Sequence, residues 1–239
     1  PDLLGLNKAR TRVGSAGFLE AANPITDRVF EWSSNPELPG ITRKIRLNIV
    51  NNDFTVTSDY MNNPAILTAK GLPNKEQSII IAEGFLGLMN LLPEDIDTSK
   101  TSITLFSIRS NTLVPATSLS NAQIVEVNYY QKDIDKLKIY YEKPNSSNIS
   151  ILIGSTDQQA QVVAASYVHQ EVSNESSTYP IKTAQEAFEE LKEGNAYIAS
   201  YLGSSSNISI KNVSLGYYIG SRVQDFLMPI IIFEADDGF

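Results

Sequence analysis

The sequence contains no cysteine and a single histidine, and these shortages exclude much of the chemistry that enzymes use. Without cysteine there is no disulfide, thiolate nucleophile, iron–sulfur cluster or zinc–thiolate site. A histidine triad or metal site would have to rest on His169, which stands in strand-like sequence and is expected to be an ordinary sheet-surface residue. The sequence also lacks a G-x-S-x-G elbow, a P-loop and a G-x-G-x-x-G fingerprint. We therefore expect no catalytic residues, no cofactor and no metal.

Carboxylates are the remaining candidates for chemistry. The segment EDIDTSK places Asp95, Asp97 and Ser99 at the spacing that opens a calcium loop. Lys100 stands where such a loop needs glycine, and no glutamate closes the loop, so a solvated turn is expected. A pair of carboxylates that hydrolyses wall glycan stays open, because the distance between two carboxyl groups in space decides that chemistry.

The net charge of −8 and the sequence pI near 4.8 argue against nucleic acid and anionic lipid surfaces as partners. No apolar run reaches the roughly 18 residues that a membrane helix needs. The chain begins at Pro1 rather than Met. We expect that a signal peptide or N-terminal membrane anchor precedes it.

Alternating apolar residues predict strands in both halves of the chain. The segment 43–58 reads as a hairpin, with the side chains of Ile45, Leu47, Phe54 and Val56 on one face and a turn at 51–53. A short helix is expected between Ala9 and Asn23, with Phe18, Leu19 and Ala22 on one side. Further strands are expected at 28–33, 101–110, 122–131, 137–142, 149–154, 160–172, 208–219 and 228–235.

Two amphipathic helices interrupt the strands. In the first, Asn74 and Gln77 form a capping-box pattern at the start of the helix. Pro93 is expected to end it. Its apolar stripe is Ile81, Phe85, Leu88 and Leu92. The second is TAQEAFEELKEG, in which Thr183 caps, Glu186 is its reciprocal partner and Gly194 supplies the left-handed stop. Its buried stripe is Ala184, Ala187, Phe188 and Leu191.

The order of elements predicts an α+β fold of two similar halves, each an antiparallel sheet with one packed amphipathic helix. We place the first half at residues 1–118 and the second at 119–239. A helix as short as the one at 183–193 is marginal alone, so it is expected to persist by laying Phe188 and Leu191 on a sheet.

Residues 122–235 contain a set of positions that matches a known family pattern: Tyr129, Tyr130, Thr183, Ala187, Leu191, Val213, Leu215, Tyr217, Tyr218 and Pro229. Through these positions the segment resembles the extracytoplasmic domain of YycI/YycH-type regulatory proteins and related PepSY-like modules of uncharacterised bacterial envelope proteins. The sequence departs from the family pattern at DIDKLKI, where the usual glycine and proline are missing. The resemblance implies a membrane-tethered, non-enzymatic protein whose folded part lies outside the cytoplasm and acts by binding a partner.

Three adjacent tyrosine pairs, 129–130, 140–141 and 217–218, stand in predicted strands. Because side chains alternate across a strand, one member of each pair should face outward, and we take Tyr130, Tyr141 and Tyr218 as candidate partner-binding residues. The expected partner is an envelope or membrane protein, or a wall polymer. Two alternatives stay open: a carboxylate-dependent wall-glycan hydrolase, and a surface protein that assembles through a sheet edge.

Overall fold

The computed structural model describes residues 2–35, 40–157, 159–173, 175, 177–178, 180–203 and 207–236. The chain divides into two compact units. Unit 1 comprises residues 1–130 and 148–169, and unit 2 comprises residues 131–147 and 170–239. The fold is mixed α+β, as the sequence predicts.

Unit 1 is built on one large antiparallel sheet of nine strands, in the order β1-β2-β3-β4-β10-β9-β7-β5-β6. Its strands are β1 Asn23–Pro24, β2 Val29–Ser33, β3 Arg43–Asn48, β4 Phe54–Ser58, β5 Ser102–Arg109, β6 Thr112–Pro115, β7 Ile124–Tyr129, β9 Ile149–Ser155 and β10 Ala160–Tyr167. Its helices are α1 Leu3–Ser15, α2 Pro64–Thr68 and α3 Lys75–Leu88, with short 3-10 turns at Thr98–Lys100 and Leu119–Asn121.

The predicted hairpin is confirmed as β3 and β4. Ile45 pairs with Val56 and Leu47 with Phe54, and all four side chains are buried. Asn52 adopts a φ of 64° in the turn, a conformation that asparagine tolerates at low cost. The alternation of side chains therefore fixes which face of this hairpin enters the core.

Helix α3 lies on one face of the sheet, but its buried stripe differs from the predicted one. Phe85 is buried and meets Phe54 edge-on at 6.2 Å between ring centroids, whereas Leu88 is 59% exposed. The other buried side chains of the helix are Ser78, Ala82 and Leu86. The capping box of Asn74 and Gln77 is confirmed.

The predicted end of α3 at Pro93 is wrong. The helix stops at Leu88, because Asn90 takes a φ of 53° and the N–H groups of Asn90 and Leu91 donate to the carbonyls of Gly87 and Leu86. This is a Schellman-type stop with asparagine in the left-handed position. Pro93 therefore lies beyond a helix that has already ended, and Leu92 falls outside the stripe assigned to it.

Helix α1 begins and ends earlier than the sequence suggests. The Asp2 carboxylate accepts from the N–H groups of Leu4 and Gly5, so the helix starts at Leu3, and Gly17 follows its end with a φ of 90°. Ala9 and Val13 enter the same core as α3. Phe18 is buried as expected, whereas Leu19 is exposed.

The opposite face of the large sheet has a smaller apolar cluster. Ile66 of α2 packs there with Ile124, Val163, Ile41 and Tyr60. Ile124 and its neighbour Val125 belong to the two different clusters, as alternation along β7 requires. The central strands of unit 1 are thus buried on both faces.

Unit 2 contains a three-stranded sheet in the order β12-β11-β8, formed by β8 Lys138–Tyr140, β11 Ile210–Tyr218 and β12 Met228–Ala235. β11 pairs with β12 antiparallel and with β8 parallel. Among the described residues of this unit, Ile219 is the one apolar side chain that is fully buried. The core of unit 2 is therefore thin.

Helix α4, Ala184–Lys192, has the termini that the sequence predicts. The Thr183 hydroxyl accepts from the Glu186 N–H, the Glu186 carboxylate accepts from the Thr183 N–H, and Gly194 follows at a φ of 78°. Phe188 is half-buried, with its ring 5.9 Å from that of Phe233 on β12. The helix therefore lies on the small sheet, although none of its side chains is fully buried.

The expected division into two halves, each with its own antiparallel sheet, is not confirmed. β7, β9 and β10 follow residue 118 yet pair with one another and with β4 and β5 in the large sheet, and the small sheet includes a parallel pair. Apolar alternation predicts a strand but does not choose its partner, which explains the difference.

Across the described residues, no helix combines the length and apolar character that crossing a bilayer requires.

Candidate functional site

The connection between β11 and β12 in unit 2 is an irregular loop, residues 219–227, held by two glutamine side chains. Gln170 donates from Nε2 to the carbonyls of Gly220, at 3.0 Å, and Arg222, at 2.9 Å. Its Oε1 accepts from the Gln224 N–H at 2.8 Å. Gln224 in turn accepts from the Gly220 N–H. Backbone groups that water would otherwise solvate are thus fixed by side chains of the same unit.

The held loop presents apolar side chains to solvent. Phe226 is 77% exposed, and Val223 and Met228 are also exposed. Single exposed apolar residues are common on soluble proteins. Here Val223 and Phe226 of the loop and Met228 at the start of β12 lie within six positions of one another, and packing inside the unit does not explain this cluster. We refer to Tyr218, Val223, Phe226 and Met228 as the loop surface.

Tyr218, predicted as a partner-binding residue, is the last residue of β11 and borders this loop. It is half-buried, its ring lies close against Gly220, and it pairs with Met228 across the antiparallel ladder. Burial raises the pKa of its phenol, and the neighbouring Glu142 and Tyr197 raise it further. The phenol therefore stays protonated at physiological pH and can donate or accept a hydrogen bond.

Tyr141 lies directly after β8 and is half-buried. Its hydroxyl accepts from the Gln131 N–H at 3.1 Å. A further tyrosine of unit 2, Tyr197, is 69% exposed and donates to the Glu142 carbonyl at 3.1 Å. Tyr197 was not among the predicted binding residues, because it lies in an irregular segment after Gly194 that has no apolar alternation. Its single signal in the sequence was an aromatic residue shortly after a helix stop.

Tyr130 belongs to unit 1, where it follows β7 and is half-buried. Its hydroxyl lies 3.1 Å from the Ser102 hydroxyl. Its neighbour Tyr129 is buried, so the expected alternation holds for this pair. The three predicted tyrosines therefore do not share one sheet: Tyr130 follows β7 of the large sheet, Tyr141 follows β8 of the small sheet, and Tyr218 is the last residue of β11. Their role in binding stays a prediction.

His169 lies two residues after β10 and is half-buried in unit 1. Its Nε2 is 2.9 Å from Oδ1 of Asp95. Burial raises the pKa of the nearby Asp53 carboxyl, opposed by a hydrogen bond from Asn51 and by His169. Burial likewise raises the pKa of Tyr167, whose ring stacks on Phe54 at 5.0 Å. The contact between His169 and Asp95 joins the residues after β10 to the loop after α3. His169 is therefore a half-buried linking residue and does not lie on an open sheet surface.

The acidic turn at 95–99 has local partners. Asp97 accepts from the N–H and hydroxyl of Ser99 and pairs with Lys100 at 3.3 Å, while Asp95 contacts His169. Within the described ranges, no group of three or more histidine, aspartate or glutamate side chains could hold a metal ion. Asp97 is the N-cap of the short 3-10 segment Thr98–Lys100.

A shallow groove of about 490 Å³ lies in unit 1 between α1 and the C-terminal end of α3. It is lined by Asn7, Lys8, Thr11, Arg12, Ser15, Leu88, Met89 and Asn90. This lining includes two cations and no carboxylate.

Comparisons with known proteins leave the identity open. No protein-family model matches the sequence, and no curated protein matches it. A solved structure of an uncharacterized protein from Eubacterium rectale ATCC 33656 is similar over 96% of this chain and 71% of that chain, with 12% identity and a TM-score of 0.44. At that TM-score the similarity supports no argument about fold or function.

Proposed function

We propose that the protein is a non-enzymatic binding module of a bacterial cell-envelope protein, working outside the cytoplasm and tethered by an N-terminal anchor. Its partner in this proposal is another envelope or membrane protein. The resemblance of residues 122–235 to YycI/YycH-type and PepSY-like domains supports the location. The loop surface of unit 2 supports the mode of action.

One observation carries the proposal: Phe226 stands 77% exposed on a loop whose backbone is fixed by Gln170 and Gln224. Ordering the backbone of a binding loop before a partner arrives lowers the entropy lost on binding. Aromatic residues are also the side chains that most often dominate binding energy at interfaces. A fixed loop with an exposed phenylalanine beside Tyr218 therefore suits a protein-binding surface.

The glycan-hydrolase alternative needs a cleft in which two carboxyl groups lie within catalytic reach of one sugar. The groove of unit 1 has no acidic lining residue. Asp95 is bonded to His169, and Asp97 caps a short 3-10 segment. These arrangements favour binding over hydrolysis.

The self-assembly alternative has one observation in its favour. β12 pairs with β11 alone among the described strands, so its other edge is unpaired, and it contains the apolar run Ile230–Phe233. An apolar edge strand can pair with a second chain. A homotypic contact through β12 is therefore the second candidate function.

Photo-crosslinking in the native bacterium tests the proposal. Phe226 is replaced by p-benzoyl-phenylalanine in the full-length protein, and the matched control places the same group at Ile80, which is 68% exposed on α3 of unit 1. We expect a crosslink to a distinct envelope protein from position 226 and none from position 80. The absence of that crosslink, or equal crosslinking from both positions, would contradict the proposal. A product of two copies of this chain would support self-assembly instead.

A further inference from the structure

The groove of unit 1 offers positive charge in a protein whose net charge is −8. Helix α1 presents Asn7, Lys8, Thr11, Arg12 and Ser15 to the groove, at the i, i+4 spacing of one helix face. Its other face buries Ala9 and Val13 in the core, which fixes the rotation of the helix. We propose that this groove binds a small carboxylic acid with an apolar body. The site lies in a different unit from the loop surface, and its argument is independent of the proposed function.

The strongest hydrogen-bond donors that the lining offers to such a ligand are its two cations, Lys8 and Arg12. The hydroxyl of Thr11 donates to the Asn7 carbonyl and that of Ser15 to the Thr11 carbonyl, so neither hydrogen is available to a ligand. Lys8 is exposed and makes no ion pair among the described residues. Its ammonium group has three donors for a carboxylate.

Arg12 is held in place for the same task. One guanidinium nitrogen donates to Oδ1 of Asn52 in the β3–β4 turn, and the side chain is half-buried. The guanidinium has five N–H donors in a planar fork, so donors remain after this bond. A guanidinium fixed by the protein loses less entropy on binding a carboxylate than a mobile one.

The apolar part of the lining comes from the end of α3. Leu88 is 59% exposed, whereas Met89 is fully buried. The rotation of α3 that buries Phe85 and Leu86 leaves Leu88 facing solvent at the end of the helix, where it lines the groove with the two cations. An aliphatic chain over Leu88 with its carboxylate at Lys8 and Arg12 would satisfy both parts of the lining.

The affinity should be modest. The groove is open and shallow, so a ligand keeps much of its hydration, and a millimolar dissociation constant is expected for a chain of about six carbons. The volume of about 490 Å³ holds such a ligand. Each charge-assisted hydrogen bond should change the affinity by roughly tenfold.

The test is a titration of the full-length ¹⁵N-labelled protein with sodium hexanoate at low ionic strength, followed by amide chemical shifts. We expect saturable shifts confined to residues near 7–15 and 88–90. Lys8→Gln should weaken binding about tenfold. The matched control is Arg10→Gln, which removes a charge from an exposed position of the same helix outside the groove lining and should leave the affinity within about twofold.

Leu88→Ser tests the apolar part, because it should weaken hexanoate several-fold and leave acetate unchanged. The thermal unfolding midpoint of each variant confirms that it is folded. Three results would overturn the proposal: no saturable shift up to about 50 mM hexanoate, an equal loss of affinity in Arg10→Gln, or inorganic phosphate binding as tightly as hexanoate.

Discussion

The held loop of unit 2 makes a quantitative prediction for Gln170→Ala. The substitution removes three hydrogen bonds, to the carbonyls of Gly220 and Arg222 and from the N–H of Gln224. Each such bond contributes about 0.5–1.5 kcal/mol net. If losing its own bond is all that affects the Gln224 amide, this amide should exchange with deuterium roughly two- to tenfold faster in the variant than in the wild-type protein. If the three bonds open together, the increase should be about a hundredfold.

The assay is amide hydrogen exchange of the full-length protein, read at Gln224 and at the neighbouring loop amides. Gln185→Ala is the matched control, because Gln185 is an exposed glutamine of the same unit whose one side-chain bond, to Glu189, lies on α4. It should leave exchange at Gln224 unchanged. A Gln224 amide that already exchanges at the unprotected rate in the wild-type protein, or that Gln170→Ala does not affect, would refute the claim that side chains hold this loop.

Three further predictions concern unit 1. Phe85→Ala should lower the free energy of unfolding by about 3–5 kcal/mol, because Phe85 is buried. Leu88→Ala should change it by less than about 0.5 kcal/mol, because Leu88 is exposed. Urea titrations of both variants measure these changes. Asn90→Ala should lower the free energy of unfolding by about 1 kcal/mol, whereas Asn90→Gly should not lower it, because φ at this position is 53°. Thermal unfolding of the two variants measures the difference, and an equal loss of stability in both would contradict the Schellman-type stop. The pKa of Glu31 is lowered below its ordinary 4.5, chiefly by the hydrogen bond from Arg46. A group whose folded pKa is lowered stabilises the fold above its unfolded pKa, and that contribution disappears as the pH falls through the folded pKa. The difference in unfolding free energy between wild type and Glu31→Gln should therefore shrink as the pH falls below about 4.5 and through the lowered folded pKa, and a constant difference would contradict this reasoning.

Local signals in the sequence predicted local structure well. Thr183, Glu186 and Gly194 define both ends of α4 through bonds made within a few residues, and the sequence is enough to recognise them. The same holds for the capping box of Asn74 and Gln77. Caps depend on neighbours along the chain, which is why they could be predicted.

Features that depend on distant partners were missed. The apolar stripe of α3 was misplaced because packing against the sheet, rather than periodicity alone, sets the rotation of the helix and buries Ala82, Phe85 and Leu86. The strands after residue 118 were recognised, but their partners β4 and β5 lie far back in the sequence. Nothing in the local pattern of β7 or β10 selects those partners over β11 or β12.

The candidate site was predicted only in part. Tyr218 belongs to the loop surface, and Tyr141 lies in the same unit. Phe226 and Val223 lie in a segment without periodicity and were not predicted as binding residues. The loop that contains them is held by bonds that Gln170 makes to residues about 50 positions away, at Gly220 and Arg222. Such long-range side-chain bonds leave no pattern in a single sequence.

Affinity capture from detergent-solubilised envelopes tests the central claim most directly, with the full-length wild-type protein compared with Phe226→Ser and Ile80→Ser. Both variants replace a strongly exposed apolar side chain by a small polar one, in unit 2 and unit 1 respectively. If the loop surface binds the partner, Phe226→Ser should reduce recovery of that partner at least tenfold, and Ile80→Ser should recover as much as the wild-type protein. Equal recovery by wild type and Phe226→Ser would contradict the account.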